Sequence, residues 1–509
     1  MAKQEQSPLF QLIQGMNKME KRHFKLYARY NSQNAGEINY LRLFDAIAKQ
    51  DEYDEEKIAA LGLVKKEHLR MLKNYLYNLI LESMRLLRWK GDDIDCSIKS
   101  LLDNALIMRE KGITKEEFKF LERAKQLSYE HERWGPALQT LLLQSEKMTR
   151  DGNFKLLEEI EKEIPVLIGK LENLFECKKM RRESLLLLRS LDLQKAIRNK
   201  KQVQKILDTP LVRDAGKGLT AAAKKESYFT RAMCQTAIGD YTGTIKTLEV
   251  VEKFIEANYG TLDYPEIHHA SVLSNMAGRQ MELGRFKDAF VTIQKHRSIV
   301  TKSTTVRDYI FVFSRINETN YYLTTGEFEK GVAAIKEMEG KINKFKTVIN
   351  QTSIYVLYFN IASIYFIAGD FLKALQWIRR VTNAAEGAAG EDIKAWAHIV
   401  MILIHYELRT EDIIEHLTDS ALRFMNKRAR LYKVEGAVLD FMRKLNKTVV
   451  GKKDVKEEFS SFIVKLTEIL KDPKEQKALM YFDLISWLES KIEGRPLAEI
   501  VKSKALKEK

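Results

Sequence analysis

The stretch that decides the fold lies at residues 358–381 and reads YFNIASIYFIAGDFLKALQWIRRV. Apolar and small side chains recur there at helical spacing on both sides of Gly369. They are Ile361, Ala362, Tyr365, Phe371, Ala374, Leu375 and Ile378. A glycine between two amphipathic segments indicates a tight turn. The stretch therefore predicts two helices that pack against each other as a helical hairpin.

Turn glycines recur upstream at a nearly constant spacing. Gly239, Gly284, Gly326 and Gly369 are separated by 45, 42 and 43 residues. A small residue stands seven positions before each glycine, an aromatic residue two positions after it, and another small residue five positions after it. In that order the three sets are Ala232, Ala277, Thr319 and Ala362; Tyr241, Phe286, Phe328 and Phe371; and Thr244, Ala289, Gly331 and Ala374. A repeated pattern of this kind predicts a stack of helical hairpins.

Weaker copies of the pattern extend the array at both ends. They surround Gly112 and Gly152 upstream and Thr410 downstream. The 87 residues between Gly152 and Gly239 fit two periods, so we expect a turn without glycine near Asn199.

This pattern resembles the tetratricopeptide repeat (TPR), although the period here exceeds the usual length of about 34 residues. In spacing it is similar to the longer repeats of kinesin light chains. The resemblance implies an all-α fold, a right-handed α-solenoid of helical hairpins closed by helical caps. We expect an N-terminal cap at 1–95, degenerate repeats at 96–225, regular repeats at 226–425 and a C-terminal cap at 426–509. The polar residues 502–509 are expected to fray.

Asparagines recur in register with the turn glycines. Thr230, Asn275, Asn317 and Asn360 stand nine residues before the four glycines. In TPR families that grasp extended peptides, this position points into the concave groove, where an amide can donate to and accept from a peptide backbone. The resemblance therefore implies a peptide-binding groove formed by these asparagines and by neighbouring side chains. They are Asn275, Asn317, Asn360, Asn320, Phe359 and Phe366. Alternatively, the asparagines bond a neighbouring helix or water.

Two basic zones account for the net charge of +15. Residues 176–231 contain 15 Lys and Arg against 6 acids, and residues 423–456 contain 11 against 3. The cations that we single out are Lys178, Arg181, Arg182, Arg189, Lys427, Arg428 and Arg430. A solvated helix face explains such a zone; an acidic protein or a nucleic-acid backbone is the alternative partner.

The N-terminal helices have an order similar to that of a helix-turn-helix unit. Gly62 and the apolar residues Leu69 and Leu72 do not fit the spacing of that unit, so we expect a cap for the first repeat instead. Phe24 and Tyr27 share a helical face within a basic segment. We interpret them as a core-facing stripe, with contact to phosphate as the alternative.

The sequence contains no motif typical of catalysis, metal binding or cofactor binding. We therefore expect no enzymatic activity, no metal and no cofactor. Cys96, Cys177 and Cys234 are far apart and suit packed thiols in a reducing compartment. The longest apolar run, residues 399–404, is too short to span a bilayer, and the N-terminus has no apolar secretion core. These features predict a cytoplasmic protein that does not insert into membranes.

Two functions are consistent with these patterns. The first is a noncatalytic scaffold or adaptor that binds a protein or peptide in the concave groove. The alternative is a nucleic-acid-associated protein or transcriptional regulator that uses the basic zones or the N-terminal helices.

Overall fold

The structure is a computed structural model that describes residues 7–30, 38–50, 53–89, 93–189, 193–342, 351–385, 390–427, 432–450, 455–472, 475 and 481–507. Helices and short connections make up all of these residues, and no strand occurs among them. The predicted all-α class is confirmed. No helix in the described part of the chain is long and apolar enough to span a bilayer.

The chain divides into two compact units, Met1–Glu172 and Asn173–Lys509. This division does not test the four predicted segments, which stay a prediction. The first unit contains helices α1 to α8 and the first part of α9. Their bounds are α1 Pro8–Gly15, α2 Lys18–Tyr30, α3 Ile38–Ala48, α4 Glu55–Ala59, α5 Lys66–Trp89, α6 Ile94–Glu110, α7 Thr114–Glu130, α8 Trp134–Asp151 and α9 Phe154–Arg189.

The N-terminal helices of the first unit surround a small apolar core. Phe24 is fully buried there, with its ring centroid 4.7 Å from that of Phe44. Leu76 and Ile80 from α5 are also fully buried. Phe24 therefore faces the core, as the sequence predicts, because its ring would lose apolar burial on the surface.

The later helices of the first unit form hairpins around a buried carboxylate. α6 packs against α7, with Gly112 between them at a φ of 71°, and α7 packs against α8. Glu117 is buried and accepts from Arg109 at 2.9 Å and from Arg150 at 2.8 Å. Such pairing is needed because a buried charge is costly without a partner.

The second unit contains the remaining helices. Their bounds are α10 Leu193–Asp208, α11 Pro210–Arg213, α12 Ala221–Ile238, α13 Tyr241–Ala257, α14 Pro265–Glu282, α15 Phe286–Arg297, α16 Thr304–Thr325, α17 Phe328–Ile342, α18 Gln351–Ile367, α19 Phe371–Thr382, α20 Glu391–Glu407, α21 Glu411–Asn426, α22 Lys433–Val450, α23 Val455–Ile469, α24 Leu484–Glu493 and α25 Leu497–Lys507. From α12 to α21 they pack as successive hairpins, and α14, α16, α18 and α20 also contact one another in sequence.

The repeat pattern is confirmed at its glycines and small residues. Gly369 has a φ of 82°, and the next amide, of Asp370, donates to the Tyr365 carbonyl at 2.9 Å. This bond closes the end of α18 in the geometry for which glycine is favoured. The small residues seven positions before and five positions after each turn glycine are all buried between helices.

One predicted turn is wrong. Asn199 lies inside α10 rather than at a turn between helices. The two-period estimate assumed hairpins of equal length, whereas α9 alone runs for 36 residues.

The C-terminal segment, defined here as residues 481–507, folds back onto the array. The ring centroid of Phe482 lies 5.3 Å from that of Phe366 in α18. The Trp487 indole Nε1 donates to Glu407 at the end of α20 over 2.6 Å. The prediction that residues 502–509 fray is wrong as far as Lys507, because these residues belong to α25. Glu508 and Lys509 lie outside the described residues.

Candidate functional site

Two of the predicted groove asparagines connect neighbouring helices. The Asn317 Nδ2 in α16 donates to the Ser274 Oγ in α14 at 2.9 Å. The Asn360 Nδ2 in α18 donates to the Asn320 Oδ1 at 2.7 Å and to the Thr319 Oγ1 at 3.1 Å, both in α16. We call these cross-helix bonds the asparagine ladder. It satisfies buried amides, because the side chains of Asn317 and Asn360 are each only 7% exposed.

Asn275, the third asparagine of the register, behaves differently. Its side chain is exposed, and its Nδ2 donates to the carbonyl of Ser271 within the same helix at 2.8 Å. The same register position therefore holds a cross-helix amide in two repeats and a solvent-facing amide in one.

A cleft of about 810 Å³ opens beside the ladder, and we call it the asparagine cleft. The array side of the cleft is largely polar. Its polar residues include Ser274, Asn275, Asn317, Asn320, Asn360 and Ser363. The opposite wall belongs to the C-terminal segment and consists of Tyr481, Phe482, Asp483 and Val501. The ladder and the folded-back segment together define the site.

The charges around the asparagine cleft are few and of both signs. Arg279 and Glu282 come from α14, and Asp483 comes from the C-terminal segment. The Asp483 carboxylate accepts from the backbone amide of Ser486 at 3.0 Å and so caps α24. A cleft with this lining suits neutral hydrogen-bonding groups such as peptide amides better than a highly charged ligand.

Phe359 and Phe366 do not line an open groove. Both are buried in the main apolar core of the second unit, where they are 3% and 1% exposed. Phe366 lies 5.4 Å from Phe371 and is covered by Phe482. The sequence assigns both residues to a groove, and the structure corrects this: the C-terminal segment occupies the surface that Phe366 would otherwise present.

The described members of the predicted basic set differ in exposure and pairing. Lys178 and Arg182 are exposed on α9, but the Arg181 NH1 donates to Glu226 at 2.7 Å and its guanidinium lies 4.9 Å above the ring of Phe229. Lys427 is exposed at the end of α21. Arg428 and Arg430 lie outside the described residues, as does the side chain of Arg189.

A buried polar cluster surrounds Glu226. Besides Arg181, it contains Lys225, whose Nζ lies 3.2 Å from the Glu226 Oε1 and 2.8 Å from the His268 Nε2. Burial, and then the charge of Lys225, lowers the pKa of His268 to about 4. The imidazole is therefore neutral at pH 7 and can accept from the lysine.

One group of side chains has ligand-like spacing for a metal. Glu252, Glu256 and His269 place a donor atom each within 4.8 Å of one another. The Lys295 Nζ lies 2.6 Å from Glu252 and 3.3 Å from Glu256, so an ammonium already compensates both carboxylates. The His269 and Lys295 bonds lower the pKa of Glu252. We interpret this group as a salt-bridge network.

The C-terminal wall is the part of the site that sequence reasoning missed. Repeat spacing identifies which residues share a position within each hairpin, but it contains no signal for a later segment that folds back onto the array. The apolar residues of 482–488 predict a helix of the C-terminal cap, but they do not predict that this segment covers Phe366.

Comparisons with known proteins give a distant likeness. No protein-family model and no curated protein matches the chain. The structure of the apo form of RapI is 13% identical, with a TM-score of 0.43 over 73% of this chain and 97% of that chain. A signal-transduction ATPase with numerous domains (STAND) and a tetratricopeptide repeat sensor, from Pyrococcus horikoshii, is 12% identical, with a TM-score of 0.38 over 86% of this chain and 66% of that chain. Likeness at this level carries no argument about function, so the description of the chain as an all-α array of TPR-like hairpins rests on its turn glycines and buried small residues.

Proposed function

We propose that the chain is a noncatalytic scaffold that binds a polypeptide segment of a partner protein in the asparagine cleft. The observation that carries the proposal is the cleft itself, with amide and hydroxyl groups from three successive repeats along one wall. Peptide groups need both donors and acceptors, and side-chain amides supply both.

The ladder supports this role by holding the cleft rigid. Asn317 and Asn360 are each fixed by bonds to the preceding helix, so little side-chain entropy is lost when a ligand binds beside them. Exposed Asn275 offers an amide that does not bridge helices. A partner segment can therefore bond to Asn275 and to the outer surface of the ladder without breaking contacts between repeats.

Apolar side chains at the same cleft supply anchors for a partner. Met281, Phe286, Leu323 and Ile367 line it together with Val501 of the C-terminal segment. Apolar anchors within a polar rim are typical of interfaces in which a few residues dominate the affinity. We therefore expect the bound segment to carry one or two apolar side chains among polar neighbours.

The experiment blocks the cleft without disturbing the fold. Gly278 lines the cleft, has an ordinary helical backbone, and a Cβ built there would meet nothing within 4 Å. Gly278→Tyr therefore projects a ring into the cleft. Gly340→Tyr is the matched control, because Gly340 is an exposed glycine of α17 with the same open surroundings.

The measurement is affinity purification of the tagged chain and both variants, with and without nuclease, followed by identification of the bound proteins. We expect a partner that survives nuclease, that the Gly340→Tyr variant retains, and that the Gly278→Tyr variant loses. A partner that both variants retain would contradict binding in the cleft. Material that disappears with nuclease would instead favour the nucleic-acid alternative.

A further inference from the structure

A second cleft of about 600 Å³ in the second unit concentrates positive charge, and we call it the arginine cleft. Its cations are Arg297 at the end of α15, Arg307 and Arg315 in α16, and Lys341 near the end of α17. Among the described residues, none lines both this cleft and the asparagine cleft. Binding in the arginine cleft is therefore independent of the proposed function.

A buried carboxylate fixes two of the guanidinium groups. Glu318 is 2% exposed, and its Oε1 accepts from Arg297 at 2.8 Å while its Oε2 accepts from Arg315. The Arg315 guanidinium also lies 5.5 Å from the centroid of the Phe311 ring. Each guanidinium has five N–H donors, so one bond to Glu318 orients the group without exhausting it. The two groups are therefore held in place before any ligand arrives.

The other two cations are not paired with Glu318, and the Arg307 NH2 donates to the carbonyl of Thr301 at 3.3 Å. Arg307 and Lys341 are exposed, and neither forms an ion pair with an acid in the part of the chain that the structure describes. Among the residues that the structure describes at the cleft, four cations face two acids, Glu318 and Asp308, which leaves a net charge of +2 by formal count. Burial raises the pKa of the Asp308 carboxyl, and the positive charge of Arg307 opposes this shift.

Three residues that line the arginine cleft are apolar, and we call them its floor. They are Ile299, Ile310 and Phe311. A ligand that fits must therefore combine an anionic group with an apolar body. The volume of the cleft falls within the range of about 300–1,000 Å³ that is typical of small-ligand sites.

We propose that the arginine cleft binds a phosphate monoester that carries a compact apolar or aromatic group. Guanidinium groups match the oxygens of phosphate in a fork geometry, and a monoester carries a charge of about −1.5 to −2 at pH 7, which balances the excess of the cleft. The apolar body of the ligand covers the isoleucine and phenylalanine side chains of the floor. The phosphate can come from a free small molecule or from a phosphorylated aromatic side chain of a peptide.

The test is calorimetric titration of the full chain with phenyl phosphate. The informative variant is Arg307→Gln/Lys341→Gln, which removes two exposed cations and leaves the Glu318 pairs intact. Lys253→Gln/Lys287→Gln is the matched control, because both lysines are exposed and lie outside the cleft. We expect saturable binding that the first variant weakens about tenfold or more and that the control retains, because charge-assisted bonds to phosphate are lost only in the first.

Further ligands separate the two parts of the proposal. Benzyl alcohol, which lacks the charge, and inorganic phosphate, which lacks the apolar body, should both bind more weakly than phenyl phosphate. A phosphotyrosine tripeptide is then compared with phenyl phosphate. Tighter binding of the tripeptide assigns the ligand to a protein side chain, and tighter binding of phenyl phosphate assigns it to a small molecule. Absence of saturable binding, equal affinity in the cleft variant, or equal affinity for inorganic phosphate would overturn the proposal.

Discussion

The asparagine ladder can be tested at Asn360, where a single truncation removes both cross-helix bonds. Asn360→Ala deletes the donors to Asn320 at 2.7 Å and to Thr319 at 3.1 Å in a nearly buried position. Each bond contributes about 0.5–1.5 kcal/mol net, so their loss costs about 1–3 kcal/mol. The higher helix propensity of alanine returns about 0.6 kcal/mol. We expect a loss of about 0.4–2.4 kcal/mol in the free energy of unfolding.

Asn275→Ala is the matched control for this truncation. Asn275 occupies the same register position, but its side chain is exposed and bonds only to the carbonyl of Ser271 in its own helix. We expect a change within about 0.5 kcal/mol in either direction, as for ordinary surface substitutions. The assay is urea denaturation monitored by far-ultraviolet circular dichroism. The midpoints are compared provided that the slope of the unfolding free energy against urea concentration is the same in both variants.

Midpoints equal to that of the unmodified chain in both variants would refute the reasoning. That result would mean that the cross-helix bonds contribute nothing to stability, and that the Asn360 amide is as available to a ligand as the Asn275 amide. A large loss in both variants would instead show that the exposed Asn275 amide contributes to stability through contacts other than its bond within α14.

Three further predictions concern buried charge and backbone geometry. His296 is fully buried, and neither of its ring nitrogens has a hydrogen-bond partner among the described residues; burial lowers its pKa to about 4. Between pH 6.5 and about 4 the unfolded chain binds a proton at His296 that the folded chain does not, so acidification lowers the free energy of unfolding. His296→Leu removes this group and should show a smaller drop in melting temperature between pH 7 and pH 4.5 than the unmodified chain. Glu318→Gln should lower stability by about 3–5 kcal/mol in denaturant titrations, because it leaves two arginines without their buried partner, whereas exposed Glu329→Gln should change stability by less than about 0.5 kcal/mol. Gly369→Ala should lower the free energy of unfolding by about 1–2 kcal/mol, because Gly369 has a φ of 82°. Gly278→Ala lies in an ordinary helical turn and should raise the free energy of unfolding by about 0.5–1 kcal/mol. Thermal melts that rank the two variants in the reverse order would contradict this.

Local features of the fold could be predicted from the sequence because they depend on residues close together in the chain. A turn at Gly369 needs only the glycine and the amphipathic segments beside it, and close helix packing at Ala362 or Ala374 needs only a small side chain. The helices of the regular repeats follow from the same pattern.

The site could be predicted only in part, because its properties depend on distant residues. The sequence places Asn317 and Asn360 at equivalent positions of successive hairpins, but whether an amide contacts a ligand or a neighbouring helix depends on side chains more than 40 positions away, such as Ser274. Burial of Phe366 depends on Phe482, which belongs to no repeat. The arginine cleft could not be predicted from the sequence, because its cations are spread over three helices in a region of balanced charge.

The folded-back C-terminal segment has a consequence for synthesis on the ribosome. Trp487 is separated from its partner Glu407 by 80 residues. Phe366 in α18 precedes its partner Phe482 by 116 residues. At a translation rate of about 5–20 residues per second, α20 waits about 4–16 s and α18 about 6–23 s for the segment that covers them. During that interval the nascent chain presents the ring of Phe366, which is otherwise enclosed, to solvent and to chaperones. The array is therefore most prone to aggregation just before this segment emerges.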